Sequence, residues 1–121
     1  MKEILFMLLL STGAFAQPQV FNVQKYCIDE KPLFKGQCDL SGNEYSFVFV
    51  DSGKKEVVFF LTDTKFKYKI IEISKALDYT LYKLKDGAED VEMKINTAKT
   101  KIEFLQPDRH VLLTVGSSTK L

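Results

Sequence analysis

The feature that most constrains the fold of this chain is a regular alternation between short β-prone runs and turn residues. From residue 45 onward, runs of five to eight residues rich in Val, Ile, Phe, Tyr and Thr follow one another. Turn residues such as Asp86-Gly87 and Pro107-Asp108 separate them. This spacing is typical of an all-β sandwich or barrel. The predicted strands are Val20 to Ile28, Tyr45 to Val50, Val57 to Thr62, Phe66 to Ile73, Tyr79 to Lys85, Val91 to Asn96, Thr100 to Leu105 and Val111 to Val115.

We therefore predict a single domain over residues 17–121, folded as an antiparallel up-and-down meander of about eight short strands that closes into a small barrel or sandwich. One stretch also fits a helix, because Ile73, Leu77, Leu81 and Leu84 recur at helical spacing. Its β-branched and aromatic residues, including Tyr82, favour a strand instead.

The first sixteen residues read as a cleaved export signal. Lys2 gives a short positive start, and Ile4 to Leu10 is an unbroken apolar run of seven residues. The run is too short to cross a bilayer, and Ala14-Phe15-Ala16 places small residues before a cleavage point. We predict that residues 1–16 are removed near Ala16 and that the protein is exported, to the periplasm or the extracellular space. No later run is long enough for a transmembrane helix.

Size and charge exclude several classes of protein. With 121 residues, the chain has room for one domain of ordinary size and no more. Seventeen basic against sixteen acidic side chains leave a net charge of +1, which gives no global field to attract nucleic acid or an anionic membrane. Arginine, the residue that dominates specific phosphate recognition, occurs once. We therefore predict no nucleic-acid partner.

Cys27 and Cys38 are the only cysteines. Exported chains usually pair their cysteines, and the segment between these two contains Pro32 and Gly36, which suit a closed surface loop. A redox motif places its cysteines much closer together, and a zinc site needs more ligands than these cysteines and His110 supply. We predict a structural disulfide that closes a loop over residues 27–38, with no metal and no cofactor.

The alternation of apolar and polar residues predicts which side chains face the interior. Apolar residues lie opposite one another when the hairpins pair as Phe59 with Tyr68, Ile70 with Tyr82, Leu84 with Met93, Ile95 with Ile102 and Phe104 with Val111. The predicted interior is then Tyr45, Phe47, Phe49, Val57, Phe59, Leu61, Phe66, Tyr68, Ile70, Tyr82, Leu84, Met93, Ile95, Ile102, Phe104, Val111, Leu113 and Val115.

From Tyr45 to Val115 the chain resembles the small exported β-meander proteins of lipocalin-like architecture that lack an assigned function. The resemblance rests on the export signal, the rhythm of hairpins and the stretch from Tyr82 to Leu105, YKLKDGAEDVEMKINTAKTKIEFL. It implies a meander that closes on itself. The chain is shorter than true lipocalins and has no tryptophan, so it lacks their glycine-x-tryptophan signature. This difference argues against a roomy ligand cup.

The sequence contains few residues that could act in catalysis. His110 is the only histidine. It follows a turn, so we expect Asp108, Arg109 and His110 to form a solvated hairpin tip. The sequence shows no nucleophile elbow and no phosphate-binding glycine loop. We predict no catalytic residues, and a small hydrolase that uses His110 and Asp108 is the least favoured alternative.

The predicted outer surface indicates binding. Val48, Val50, Val58 and Phe60 would make the hairpin over residues 45–61 apolar on its outer side as well as its inner side. Either the disulfide segment, with Phe21, Leu33 and Phe34, covers this patch or a protein partner does. A lysine stripe flanks it, in which Lys67 is predicted to face Lys85 and Lys69 to face Lys83.

The sequence therefore predicts a non-catalytic binding or interaction module whose partner is an unidentified protein. The alternative is a carrier of a small apolar ligand inside a lipocalin-like barrel, with a cavity near Tyr45, Phe47, Tyr68 and Tyr82. The many large side chains predicted to point inward favour a filled barrel over a hollow one.

Overall fold

The computed structural model describes residues 18–30 and 38–121. The predicted export signal, together with Leu33 and Phe34 of the disulfide loop, lies outside the described residues. All regular structure in the described part is β-strand, in the order β1 (Gln19–Asp29), β2 (Leu40–Gly42), β3 (Ser46–Asp51), β4 (Glu56–Leu61), β5 (Thr64–Lys75), β6 (Tyr79–Asp86), β7 (Glu89–Asn96), β8 (Lys101–Gln106) and β9 (Arg109–Lys120).

Eight of these strands close into an antiparallel barrel. Each strand from β3 to β9 pairs with the next along the chain, and β1 closes the ring by pairing with β3 on one side and β9 on the other. The short strand β2 adds to β1 beyond the end of β3. The predicted all-β meander is confirmed, and β6 confirms that the ambiguous stretch contains a strand.

The barrel has two distinct ends. We call the end at which β1, β4, β6 and β8 begin the lower end, and the opposite end the upper end. On the lower side β5 pairs with β4 only as far as Lys69, and the Ile70 amide donates to the Lys55 carbonyl. Beyond that point β5 continues with β6 alone, so this wall extends below the β3–β4 turn.

The interior is a continuous apolar core that draws on every long strand. Phe104, Met93, Ile102 and Leu113 are fully buried. In the upper half the rings of Phe59, Phe66, Tyr68 and Phe104 stack, with centroid distances between 5.4 and 5.7 Å. Most of the predicted interior is confirmed, namely Val57, Phe59, Tyr68, Ile70, Tyr82, Leu84, Met93, Ile95, Ile102, Phe104, Val111, Leu113 and Val115, with Leu61 and Phe66 packed partly buried against it.

The inward and outward faces of β3 are exchanged relative to the prediction. Val48 and Val50 are buried in the core, whereas Phe47 and Phe49 point outward and Tyr45 is 72% exposed. The cause is the β3–β4 turn. Asp51 lies opposite Glu56, so residues 52–55 form the turn and the inward residue Val57 falls opposite Val50. Opposite residues share a face, and this register therefore brings the valines inside.

Three other hairpins differ from the predicted register by two residues, which keeps each side chain on its face. In the β4–β5 hairpin Phe59 lies opposite Phe66 rather than Tyr68, because the turn there is only Thr62-Asp63. In the β5–β6 hairpin Ile70 lies opposite Leu84, and the irregularity at Ile71 then shifts the pairing. In the β6–β7 hairpin Leu84 lies opposite Val91. The predicted pairs Ile95–Ile102 and Phe104–Val111 are confirmed.

Candidate functional site

An aromatic surface lies on the outside of the β3–β4 hairpin. Phe47 lies opposite Phe60 across the two strands, and Phe49 lies opposite Val58. The rings of Phe47 and Phe60 stack with centroids 4.5 Å apart, and Tyr45 tilts against Phe47 at 5.6 Å. The three phenylalanines are half-buried and Val58 is buried. We call these residues the outer aromatic face: Tyr45, Phe47, Phe49, Val58 and Phe60.

This face corrects the predicted one. Val58 and Phe60 lie on the outside as predicted, but Val48 and Val50 do not, and Phe47 and Phe49 take their places. Both sides of β3 are apolar, so alternation alone carried no information about which side faces the core. Phe21, expected to help cover the face, is 1% exposed in the core. Within β1, Val20 and Asn22 are the residues opposite Phe49 and Phe47.

A column of lysines on β5 borders the outer aromatic face. Lys65 lies opposite Phe60, with its Nζ atom 6.0 Å from the ring centroid, and Lys67 lies opposite Val58. The predicted facing of Lys67 with Lys85 and of Lys69 with Lys83 is wrong. Lys69 lies opposite Lys85, and Lys83 lies opposite Glu72, because of the shift at Ile71.

Most of the predicted lysine stripe is neutralised by neighbouring carboxylates. Lys67 pairs with Glu56 at 3.1 Å, Lys85 with Asp90 at 2.6 Å and Lys83 with Glu72 at 3.8 Å. Within residues 18–30 and 38–121, Lys65 and Lys69 have no ion pair. The positive charge available beside the outer aromatic face therefore comes from these two lysines.

The interior opens into a cavity of about 250 Å³ at the lower end. Its inner wall is formed by Phe21, Tyr82 and Ile95, and Lys75 and Lys99 lie at its rim. Burial raises the pKa of the Tyr82 phenol. The arrangement has an apolar floor and a positively charged entrance.

The predicted ligand cavity near Tyr45, Phe47, Tyr68 and Tyr82 does not exist as one site. Tyr45 and Phe47 are on the outer surface, and Tyr68 is packed in the upper core. Burial raises the pKa of Tyr68 to about 12, and its hydroxyl accepts a hydrogen bond from the Gln106 amide at 3.0 Å. Only Tyr82 of the predicted set lines the lower cavity.

Cys27 and Cys38 form the predicted disulfide. The carboxylate of the buried residue Asp29 supports the loop, because its Oδ1 accepts a hydrogen bond from the Cys38 amide at 2.6 Å. The Glu30 amide donates to Asp39 at 2.9 Å in the same way. These side-chain acceptors fix the two ends of the disulfide loop against β1.

His110 is buried between two carboxylates, so the predicted solvated hairpin tip is wrong at this residue. It is 5% exposed, its Nε2 lies 2.5 Å from Oε2 of Glu103, and its Nδ1 lies 3.5 Å from Oδ2 of Asp29. Asp108, the partner that a hydrolase was expected to use, is exposed in the turn. Sequence patterns could not predict this cluster, because its members come from β1, β8 and β9 and are brought together only by the fold.

Comparisons with protein families, with curated proteins and with solved structures found no match to this chain. In the described residues, no group of histidine, cysteine and carboxylate side chains is placed to hold a metal ion. The same part of the chain contains no helix that is long and apolar enough to cross a membrane.

Proposed function

We propose that this protein is a small exported, non-catalytic binding module that engages a protein partner through the outer aromatic face. The observation that carries the proposal is the contrast between the outer sides of neighbouring strands. On β3 and β4 the outward residues include three phenylalanines, whereas on the neighbouring strand β5 they include Lys65, Lys67 and Lys69. A cluster of stacked aromatic residues on the outside of one hairpin is typical of an interaction site.

The partner's chemistry follows from the border of this face. Lys65 and Lys69 carry positive charge without a carboxylate partner in the described part of the chain. A surface with an apolar centre and acidic residues at its rim would complement them, and such charges steer association more than they hold the complex together. The stacked rings of Phe47 and Phe60 form a rigid anchor that suits a hot spot.

Export is part of the same proposal. It rests on the apolar run from Ile4 to Leu10 and the small residues before Gln17. The disulfide between Cys27 and Cys38 is compatible with an oxidising compartment. Amino-terminal sequencing of the protein recovered outside the cytoplasm tests it, and a start at Gln17 is the expected result.

Site-specific photo-crosslinking in the producing cells tests the binding proposal. A photoreactive phenylalanine analogue in place of Phe60 should crosslink to one defined protein. The same analogue in place of Leu77, which is 92% exposed at the lower end, is the matched control and should not yield that product. The double variant Lys65→Glu, Lys69→Glu should weaken the product at position 60. The proposal is wrong if the Phe60 position yields no specific product or the same products as position 77.

The lower cavity favours a second candidate function, carriage of a small apolar ligand. Its volume of about 250 Å³ is below the usual range for drug-sized ligands, so the ligand would be a single small molecule. Native mass spectrometry of the purified protein should then show one bound mass. Ile95→Trp would fill the cavity and remove that mass, while Phe60→Ser on the outer aromatic face would leave it in place.

A further inference from the structure

The charged turns of the barrel are segregated by sign between its two ends. The turns at the lower end, together with the strand residues that flank them, carry Lys54, Lys55, Lys75, Lys99 and Lys101 against Asp51, Glu56 and Asp78. The turns at the upper end carry Asp63, Asp86, Glu89 and Asp108 against Arg109. The net charge of +1 therefore conceals a molecule that is positive at one end and negative at the other.

The lysines of the lower end are available to a ligand. Lys54, Lys55, Lys75 and Lys99 are exposed, and none of them forms an ion pair within the described ranges. In this they differ from Lys67, Lys83 and Lys85 on the barrel wall, which are paired. None of these four ammonium groups is therefore in direct contact with a carboxylate of the described residues.

An apolar side chain projects from the same end. Leu77, at the tip of the β5–β6 hairpin, is 92% exposed. Its position is held by the surrounding backbone, because the Ala76 amide donates to the Tyr79 carbonyl at 2.8 Å and the Thr97 amide donates to the Asp78 carbonyl at 2.9 Å. The Leu77 carbonyl itself accepts a hydrogen bond from the Thr97 hydroxyl at 3.3 Å. The hairpin tip is thus tied to the β7–β8 turn.

We propose that the lower end docks onto an anionic lipid surface, with Leu77 inserted between the headgroups and the neighbouring residues Lys75 and Lys99 contacting lipid phosphates. Spread lysine charge around one projecting apolar residue is the pattern of peripheral membrane contact. Specific protein sites rely instead on Trp, Tyr and Arg, and residues 52–55, 76–78 and 97–100 contain none of these. This interaction is separate from the outer aromatic face and does not depend on it.

Binding to vesicles of phosphatidylglycerol and phosphatidylcholine, measured by co-sedimentation, tests the charge requirement. The full chain without its predicted export signal should bind these vesicles at low salt, bind much less in high salt, and fail to bind pure phosphatidylcholine. Lys75→Gln with Lys99→Gln should lower the partition coefficient by about thirty-fold. Lys65→Gln with Lys69→Gln changes the net charge equally and should have little effect.

Tryptophan fluorescence tests the insertion of Leu77. The chain has no tryptophan, so Leu77→Trp introduces a single reporter. Its emission should shift to the blue when anionic vesicles are added, because the indole leaves water for the headgroup region. Leu40→Trp, at a 53% exposed position on β2, is the matched control and should not shift. Leu77→Ser should weaken vesicle binding by about ten-fold.

Three results would overturn this proposal. One is failure of the unaltered protein to bind anionic vesicles at low salt. Another is equal loss of binding in the two lysine double variants, which would mean that net charge alone is sensed. The third is an unshifted emission of Leu77→Trp on vesicles to which the protein is bound. None of these results bears on crosslinking at Phe60, so the two proposals fail independently.

Discussion

At the residue scale, the His110 side chain connects three strands. It stands between Glu103 of β8 and Asp29 of β1, and Asp29 in turn holds the Cys38 amide. The local sequence resembles an ordinary polar turn, and only the closure of the barrel shows that the imidazole is buried. A lone histidine in this setting is best understood as a structural residue that keeps two carboxylates together.

We predict that His110→Ala lowers the free energy of unfolding by about 3 kcal/mol, because two carboxylates would face each other without the imidazole between them. Binding by the folded protein should stay within a few-fold of the unaltered protein. Arg109→Ala is the neighbouring control. Its contact with Glu30 is 3.5 Å long and partly exposed, so the change should cost less than about 1 kcal/mol. Urea denaturation checks both, and equal costs would contradict a structural role for His110.

Tyr68 makes stability depend on pH in the alkaline range. Its pKa rises from 10.0 to about 12 because burial disfavours the phenolate. The folded state therefore binds the proton more tightly than the unfolded state, and the resulting stabilisation is complete below pH 10.0 and is lost as the pH rises towards about 12. Denaturation midpoints across this range should fall, and they should fall less steeply in Tyr68→Phe. Parallel profiles would contradict the assignment.

At the element scale, the β3–β4 hairpin shows which features of the fold a sequence pattern can predict and which it cannot. The strands, their order and most of the core could be predicted, because charged residues alternate with apolar ones on β5 to β8. On β3 the residues from Phe47 to Val50 are all apolar, so the pattern does not distinguish the two faces. The length of the β3–β4 turn determines which face of β3 points inward. The outer residues of β3 are therefore phenylalanines and not the predicted valines.

Adjacent phenylalanines on β4 provide a matched test of this register. Phe59 is 2% exposed and stacks on Phe104 inside the barrel, so Phe59→Ala should cost about 3–5 kcal/mol of unfolding free energy. Phe60 is half-buried on the outer aromatic face, so Phe60→Ala should cost about 1–2 kcal/mol, chiefly from the lost stacking on Phe47. Thermal and urea denaturation measure both. A larger cost at Phe60 than at Phe59 would mean that the outer face is covered.

At the scale of the whole molecule, the disulfide stabilises a small domain. Cys27 lies on β1 and Cys38 precedes β2, so the bond joins β1 to the segment that leads into β2. Strand β2 pairs with β1 alone. Replacing both cysteines with serine should lower the free energy of unfolding by about 3 kcal/mol and leave the barrel intact. Far-ultraviolet circular dichroism and urea denaturation check this. Two reactive thiols in the unreduced, unfolded protein would contradict the bond.

The pairing of β1 with β9 has a kinetic consequence. Gln19 lies opposite Lys120, so the ring closes only when residues from the two ends of the described chain meet. Contacts between such distant positions slow folding, because the entropy of closing the loop is lost before the contact forms. A chain emerging from a ribosome cannot complete the barrel until β9 has emerged. Until then β1 and β8 present unpaired edges, at which the incomplete sheet can pair with other chains.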